Sequence, residues 1–262
     1  MGSTHALSGT AAWLGAAAVI PALGMPAIAL TPAAVLAGAM VSGGAALLPD
    51  ADHKSATISR TIPIFGPLLT DAIGDVAGGH RAGAHSLLAG VLVTVGAVAI
   101  GQWQTTLPVL GATSIGPAIA SAALIAFAAR ARDLVDHWSA AWLLGIAAAA
   151  VVFFFAPDST IWFPLAIALG FLAHLVGDAL TTGGIPGPIW PIRFRPPTSW
   201  SRTPVLKSLW KRNGHIALPL LGNAGSAREW VLAIALGVYC TYMVGNIVVA
   251  FAEPYVAVTL GW

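Results

Sequence analysis

The side chains able to hold a metal or carry a proton are few in this sequence, and they collect at the ends of apolar runs. Asp50, Asp52 and His53 lie together in AALLPDADHKS (45–55), where a long hydrophobic segment stops at Pro49. GGHRAGAHSLL (78–88) brings His80, Arg81 and His85 to the mouth of the next one. Two pairs have helical spacing: Asp133 and His137, and His174 and Asp178, each four residues apart and so on one face of a helix. His5 stands just ahead of the first apolar run. Imidazoles and carboxylates from separated segments, without thiolates, are ligand chemistry for Zn²⁺, and also for Mn²⁺ or Fe²⁺. An ion held among them acidifies its bound water and makes a nucleophile available at neutral pH. The candidates outnumber one tetrahedral set, so two or more ions are possible by count. No H-E-x-x-H occurs, which disfavours a zincin-type peptidase.

The individual positions differ in what they suggest. His80 and His85 are five apart and do not share a face; the glycines between and before them indicate a loop that enters a helix at His85 or Ser86, with Ser86 as a structural cap. Arg81, between two imidazoles, has the character of an anion clamp. His174 and Asp178 fall late in an apolar segment. At 1.5 Å per residue from Ile161, His174 lies roughly 20 Å into a hydrocarbon core about 30 Å thick. An ionisable residue at that depth is costly unless paired, and points to function or to a helix-bridging hydrogen bond.

The elements that must position these residues follow from composition. Of the 262 residues, 57% are hydrophobic and 8% charged, against about 25% charged in a soluble domain. Such a chain cannot cover a water-facing surface, so an all-α polytopic membrane bundle is expected, as one membrane-embedded unit over 1–262. About seven transmembrane helices are predicted, near 11–30, 32–49, 86–103, 113–130, 138–156, 161–180 and 229–252. The single Cys240 excludes a disulfide framework and a thiolate metal site. A net charge of +2 gives no reason to expect nucleic acid as a partner. Residues 25–29 contain a small-residue motif like a leader-peptide cleavage site, but no Lys or Arg precedes the first apolar run, so cleavage is not expected.

All twelve Lys and Arg residues fall in three connections: Lys54 to Arg81, Arg130 to Arg132, and Arg193 to Arg228. With seven spans these connections share one side with the N-terminus, which the positive-inside rule assigns to the cytoplasm. All seven histidines and eight of the ten carboxylates sort to that side, Asp158 and Glu253 excepted. The connection 181–228 carries seven Lys/Arg among Phe194, Trp200 and Trp210, with Trp230 just beyond it. That composition suits a basic loop at the membrane interface, with anionic membrane lipids as neighbours. An amphiphilic substrate could then enter from the inner leaflet.

These residues resemble the YdjM-like bacterial inner-membrane proteins, described as LexA-regulated, membrane-bound metal-dependent hydrolases. The resemblance covers most of the chain. It rests on Thr4-His5, LLPDADHKS (47–55), HRAGAHSLL (80–88), AHLVGDALTTGGIPGPIWP (173–191) and, more loosely, GSAREW (225–230). Ala84 departs from the family pattern at a position that is often Thr. What the resemblance implies is a metal set of His5, Asp50, Asp52, His85, His174 and Asp178, with Zn the foremost ion. His53 and His80 become further ligands or proton carriers, and Arg81 a substrate-anion contact; Asp133 and His137 lie outside the motif. A fainter similarity to zinc-dependent phospholipase C and P1-type nucleases, which share H-x-x-x-D pairs around a zinc cluster, points to phosphoester hydrolysis. The expectation is a multi-pass inner-membrane hydrolase acting on an ester of a lipid-like substrate, most readily a phosphoester. The rival readings are a transporter or ion-conducting protein, and a non-enzymatic membrane protein with a structural metal.

Overall fold

The computed structural model describes residues 2–24, 30–52, 82–108, 111–156, 158–186, 190–192, 194–200 and 203–260. Among them α-helices dominate: α1 (Gly2–Val19), α2 (Pro32–Ala45), α3 (Leu87–Gly101), α4 (Ile115–Ala131), α5 (Trp138–Phe155), α6 (Trp162–Ala179), a short α7 (Pro204–Leu209) and α8 (Ala227–Leu260). Among the described residues, three helices are long and apolar enough to cross a membrane: Trp138–Phe155, Trp162–Ala179 and Ala227–Ala250. Three more are apolar but shorter, α2, α3 and α4, with 14, 15 and 17 residues.

Helix ends follow local chemistry. Thr31 caps α2 by accepting the Ala34 N–H at 3.1 Å, with Pro32 at the first helical position. Ser86 caps α3 by accepting the Ala89 N–H at 3.2 Å, as expected from the sequence. The first helix departs from expectation. The apolar run suggested a span over 11–30, with His5 ahead of it; instead the helix runs over Gly2–Val19 and His5 lies inside its first turn. Pro21 opens a separate 3-10 turn that closes at the left-handed Gly24, so the helix cannot continue. The polar N-terminal residues are satisfied by packing: Thr10 Oγ1 donates to Ala39 O at 3.2 Å and Ser42 Oγ to Gly9 O at 2.8 Å.

The core is α1, α2 and α6 crossing at close range, joined by α3, α4 and α8. Glycines make this approach possible. A Cβ on Gly9 would come within 2.5 Å of the Ser42 carbonyl oxygen, and one on Gly170 would collide with the same oxygen. Trp13, fully buried, lies against Gly38 and donates its indole N–H to Val35 O at 2.7 Å. Small residues let backbones meet this way in lipid, where dispersion and hydrogen bonds hold helices together.

Outward faces are apolar. Val91, Leu92 and Val95 on α3, Leu143 and Ile146 on α5, and Val231, Ile234 and Val238 on α8 are all exposed, the arrangement a lipid-facing surface requires. The connection between α3 and α4, expected as a loop, forms a small antiparallel hairpin of β1 (Gln104–Leu107) and β2 (Gly111–Ser114). Described parts of the long basic connection lie against the end of α6: Leu218 N–H donates to Ala179 O at 2.6 Å and Leu221 N–H to Leu180 O at 3.0 Å, while β3 (Ile185–Pro186) pairs with β4 (His215–Ile216).

Candidate metal centre

One end of the bundle gathers the first turn of α1, the chain leaving α2, the turn entering α3 and the last turns of α6. His174 and Asp178 share a face of α6, and both are fully buried. His5 enters from α1 with its ring stacked on His174, centroids 3.9 Å apart. Gly177 makes that stack possible, because a Cβ there would lie 2.9 Å from His5 Nδ1. His85 is delivered by a 3-10 turn, Gly83–His85, seated under Trp190; a Cβ on Gly83 would lie 2.8 Å from that indole. Asp50 follows α2 on another 3-10 turn, Pro49–Asp52, with its side chain 40% exposed.

Four atoms define the centre: His85 Nε2, His174 Nε2, Asp50 Oδ1 and Asp178 Oδ2. His85 Nε2 lies 3.4 Å from Asp50 Oδ1 and 3.6 Å from Asp178 Oδ2; His174 Nε2 lies 3.9 Å and 3.7 Å from the same two oxygens. The other oxygen of Asp178, Oδ1, is 3.5 Å from His5 Nε2. A charge-assisted N–H···O bond is about 2.8 Å long. Ligand atoms at about 2.1 Å around a tetrahedral ion are instead about 3.4 Å apart. The four distances, 3.4–3.9 Å, lie nearer to the second spacing than to the first. Among the described residues, the side chains that could hold an ion fall into two overlapping groups, His5 with His174 and Asp178, and Asp50 with His85 and His174.

The His174 imidazole is oriented by a main-chain acceptor. Its Nδ1 is 2.7 Å from the carbonyl oxygen of Ala46, a carbonyl left without a helical partner where α2 ends. A carbonyl only accepts, so Nδ1 carries the proton, and in the neutral ring Nε2 presents a lone pair to the centre. Nε2 has no hydrogen-bond partner among the described residues. A lone pair facing two carboxylate oxygens in a buried site is repulsive unless a cation lies between them. The donor set and its spacing therefore fit a divalent ion.

Of the residues singled out from the sequence, the structure brings together His5, Asp50, His85, His174 and Asp178. Asp52 ends the same turn as Asp50, and its side chain lies outside the described residues, as do His53, His80 and Arg81. Asp133 and His137 do not form the expected helical pair. Asp133 has φ 50° and ends α4, so both residues are exposed on the connection to α5.

Thr4 and Glu229, both buried and bonded to each other at 2.7 Å, adjoin the centre and carried no sequence expectation of their own. A capping-box pattern at Ser226-x-x-Glu229 marks the helix start; nothing in the sequence pairs Glu229 with Thr4. No curated protein and no solved structure matches the chain. A family model does, over residues 1–252, and its description agrees with the apolar outer faces: the chain belongs to the YdjM inner membrane protein family.

Proposed function

We propose that this protein is a membrane-bound, metal-dependent hydrolase. The observation that carries the reading is the aim of His174 Nε2, held toward two carboxylates by the bond from Nδ1 to the Ala46 carbonyl. Two imidazoles and two carboxylates suit Zn²⁺ best, with Mn²⁺ and Fe²⁺ as alternatives. The fifth side chain, His5, leaves room for a second ion. The chemistry supplied by such an ion is acidification of water near neutral pH.

In this reading His5, Asp50, His85, His174 and Asp178 hold the metal, as two groups that share His174. Asp52 adds a further ligand, His53 and His80 move protons, and Arg81 binds the anion of the substrate. The substrate is an ester of a lipid-like molecule, with a phosphoester the foremost class, arriving from the leaflet beside the basic connection 181–228. Seven spans with a cytoplasmic N-terminus place this end of the bundle on the cytoplasmic side of the inner membrane. The 40% exposure of the Asp50 side chain favours catalysis over a purely structural ion, because structural sites are closed.

Metal analysis of protein purified in detergent or nanodiscs tests the proposal. Stoichiometric zinc is expected, with His85→Ala and Asp178→Ala each losing both the metal and the release of product from a panel of phospholipids and lipid phosphates. Turnover that survives complete metal removal sinks the reading.

A further inference from the structure

The first turn of a helix is a precarious place for a metal ligand. Its leading N–H groups have no intrahelical acceptor and helix ends fray, and α1 carries no acidic residue in its first turn to offset this. Yet His5 sits there, only 2% exposed. What secures that turn is the neighbouring residue. Thr4 Oγ1 donates to Glu229 Oε1 at 2.7 Å, across 225 positions of sequence.

Glu229 is itself held on the first turn of α8. Its second oxygen accepts the Gly225 N–H at 2.7 Å, and its own N–H donates to Ser226 Oγ at 3.2 Å. This is a variant of the capping box: the carboxylate accepts from Gly225, one residue ahead of the cap, and so both closes α8 and grips α1. Of the three long apolar helices, α8 is the least buried. Further along it, Cys240 Sγ lies 3.8 Å from Leu7 O, a second contact between the same two helices.

We infer that filling of the metal centre and docking of α8 are one coupled equilibrium, joined through the buried Glu229–Thr4 bond to His5. This inference rests on the metal-centre reading. An ion that takes His5 as a ligand favours the ordered first turn of α1, and so favours the docked α8. By reciprocity, a docked α8 raises affinity for the ion by the same factor. Glu229 and Thr4 are then positioning residues, acting on the metal through His5.

The test uses the full chain in nanodiscs, with Zn²⁺ as the probe. Thr4→Val removes the donor at nearly constant volume, Thr4→Ser restores it, and Glu229→Gln alters the acceptor. Zinc affinity is read by competition with a chromophoric chelator, thermal midpoint on metal-free protein, and amide hydrogen exchange over 226–236 with and without chelator. Thr4→Val and Glu229→Gln should weaken zinc binding by about ten- to a hundredfold, the range for residues that orient ligands. Thr4→Ser should recover it, together with the metal-free midpoint that Thr4→Val lowers. Chelation of the wild-type protein should speed exchange at the start of α8. Wild-type zinc affinity in Thr4→Val, or exchange in 226–236 indifferent to chelation, overturns the coupling. A wild-type protein that binds no zinc instead overturns the metal centre itself.

Discussion

Near the end of α6, His174 and Asp178 stand four residues apart, fully buried, at the meeting point of four chain segments. Between α4 and α5, Asp133 and His137 stand equally far apart in sequence, and both are exposed to solvent. The difference begins in the backbone. Through Asp178 the α6 helix is unbroken, so four residues is a little over one turn and the two side chains share a face. At Asp133 the chain turns left-handed, the Asp133 N–H donating to Arg130 O at 3.3 Å and the Leu134 N–H to Ala129 O at 2.9 Å. That is a Schellman ending with Asp where Gly is usual. Spacing brings two side chains together only if the helix between them persists, and burial then decides whether the pair has to be satisfied by something else.

Substituting the two histidines separates the pairs most sharply. His174→Ala should reduce metal affinity by more than the ten- to hundredfold typical of outer-shell changes, whereas His137→Ala should leave it unchanged; equal effects in a chelator competition would erase the distinction. A smaller change acts through packing. Gly177→Ala puts a Cβ 2.9 Å from His5 Nδ1, and relieving that overlap costs about 1–3 kcal/mol. Zinc affinity should fall about tenfold while helix content by circular dichroism stays constant. The smallest effect belongs to the other pair. Asp133→Gly removes a left-handed non-glycine residue and should stabilise the protein by about 0.5 kcal/mol, read as a slightly higher Tm, with metal binding untouched. The ion pair it sacrifices, Asp133 with Arg130 at 3.7 Å, has a carboxylate 92% exposed and contributes little.

Much of this arrangement is legible in the chain itself. Scarcity of charge announces a membrane protein, and uninterrupted apolar runs announce helices. The convergence of His5, Asp50, His85, His174 and Asp178 follows from segments that enter and leave at one end of the bundle. The register of α1 is not legible, because Thr4, His5, Ser8 and Thr10 read as a polar flank when their partners are unknown. Those partners are remote: Ala39 for Thr10, Glu229 for Thr4. The break at Asp133 is hidden for a different reason. The hydrogen bonds that close it run between main-chain groups, Asp133 N–H to Arg130 O and Leu134 N–H to Ala129 O, and with Asp in place of Gly they leave no side-chain signature.

The lengths of α2 and α3 bear on the bilayer itself. At 14 and 15 residues they extend about 21 and 22 Å, well short of a hydrocarbon core of roughly 30 Å. The turn carrying Asp50 follows α2 after a short connection, and the turn carrying His85 leads into α3. For both helices to cross, the surrounding leaflet has to thin toward them, at a cost that grows with each ångström of mismatch. Headgroups would then dip toward the histidines and aspartates, and occupancy of the site would depend on the acyl-chain length of the host membrane.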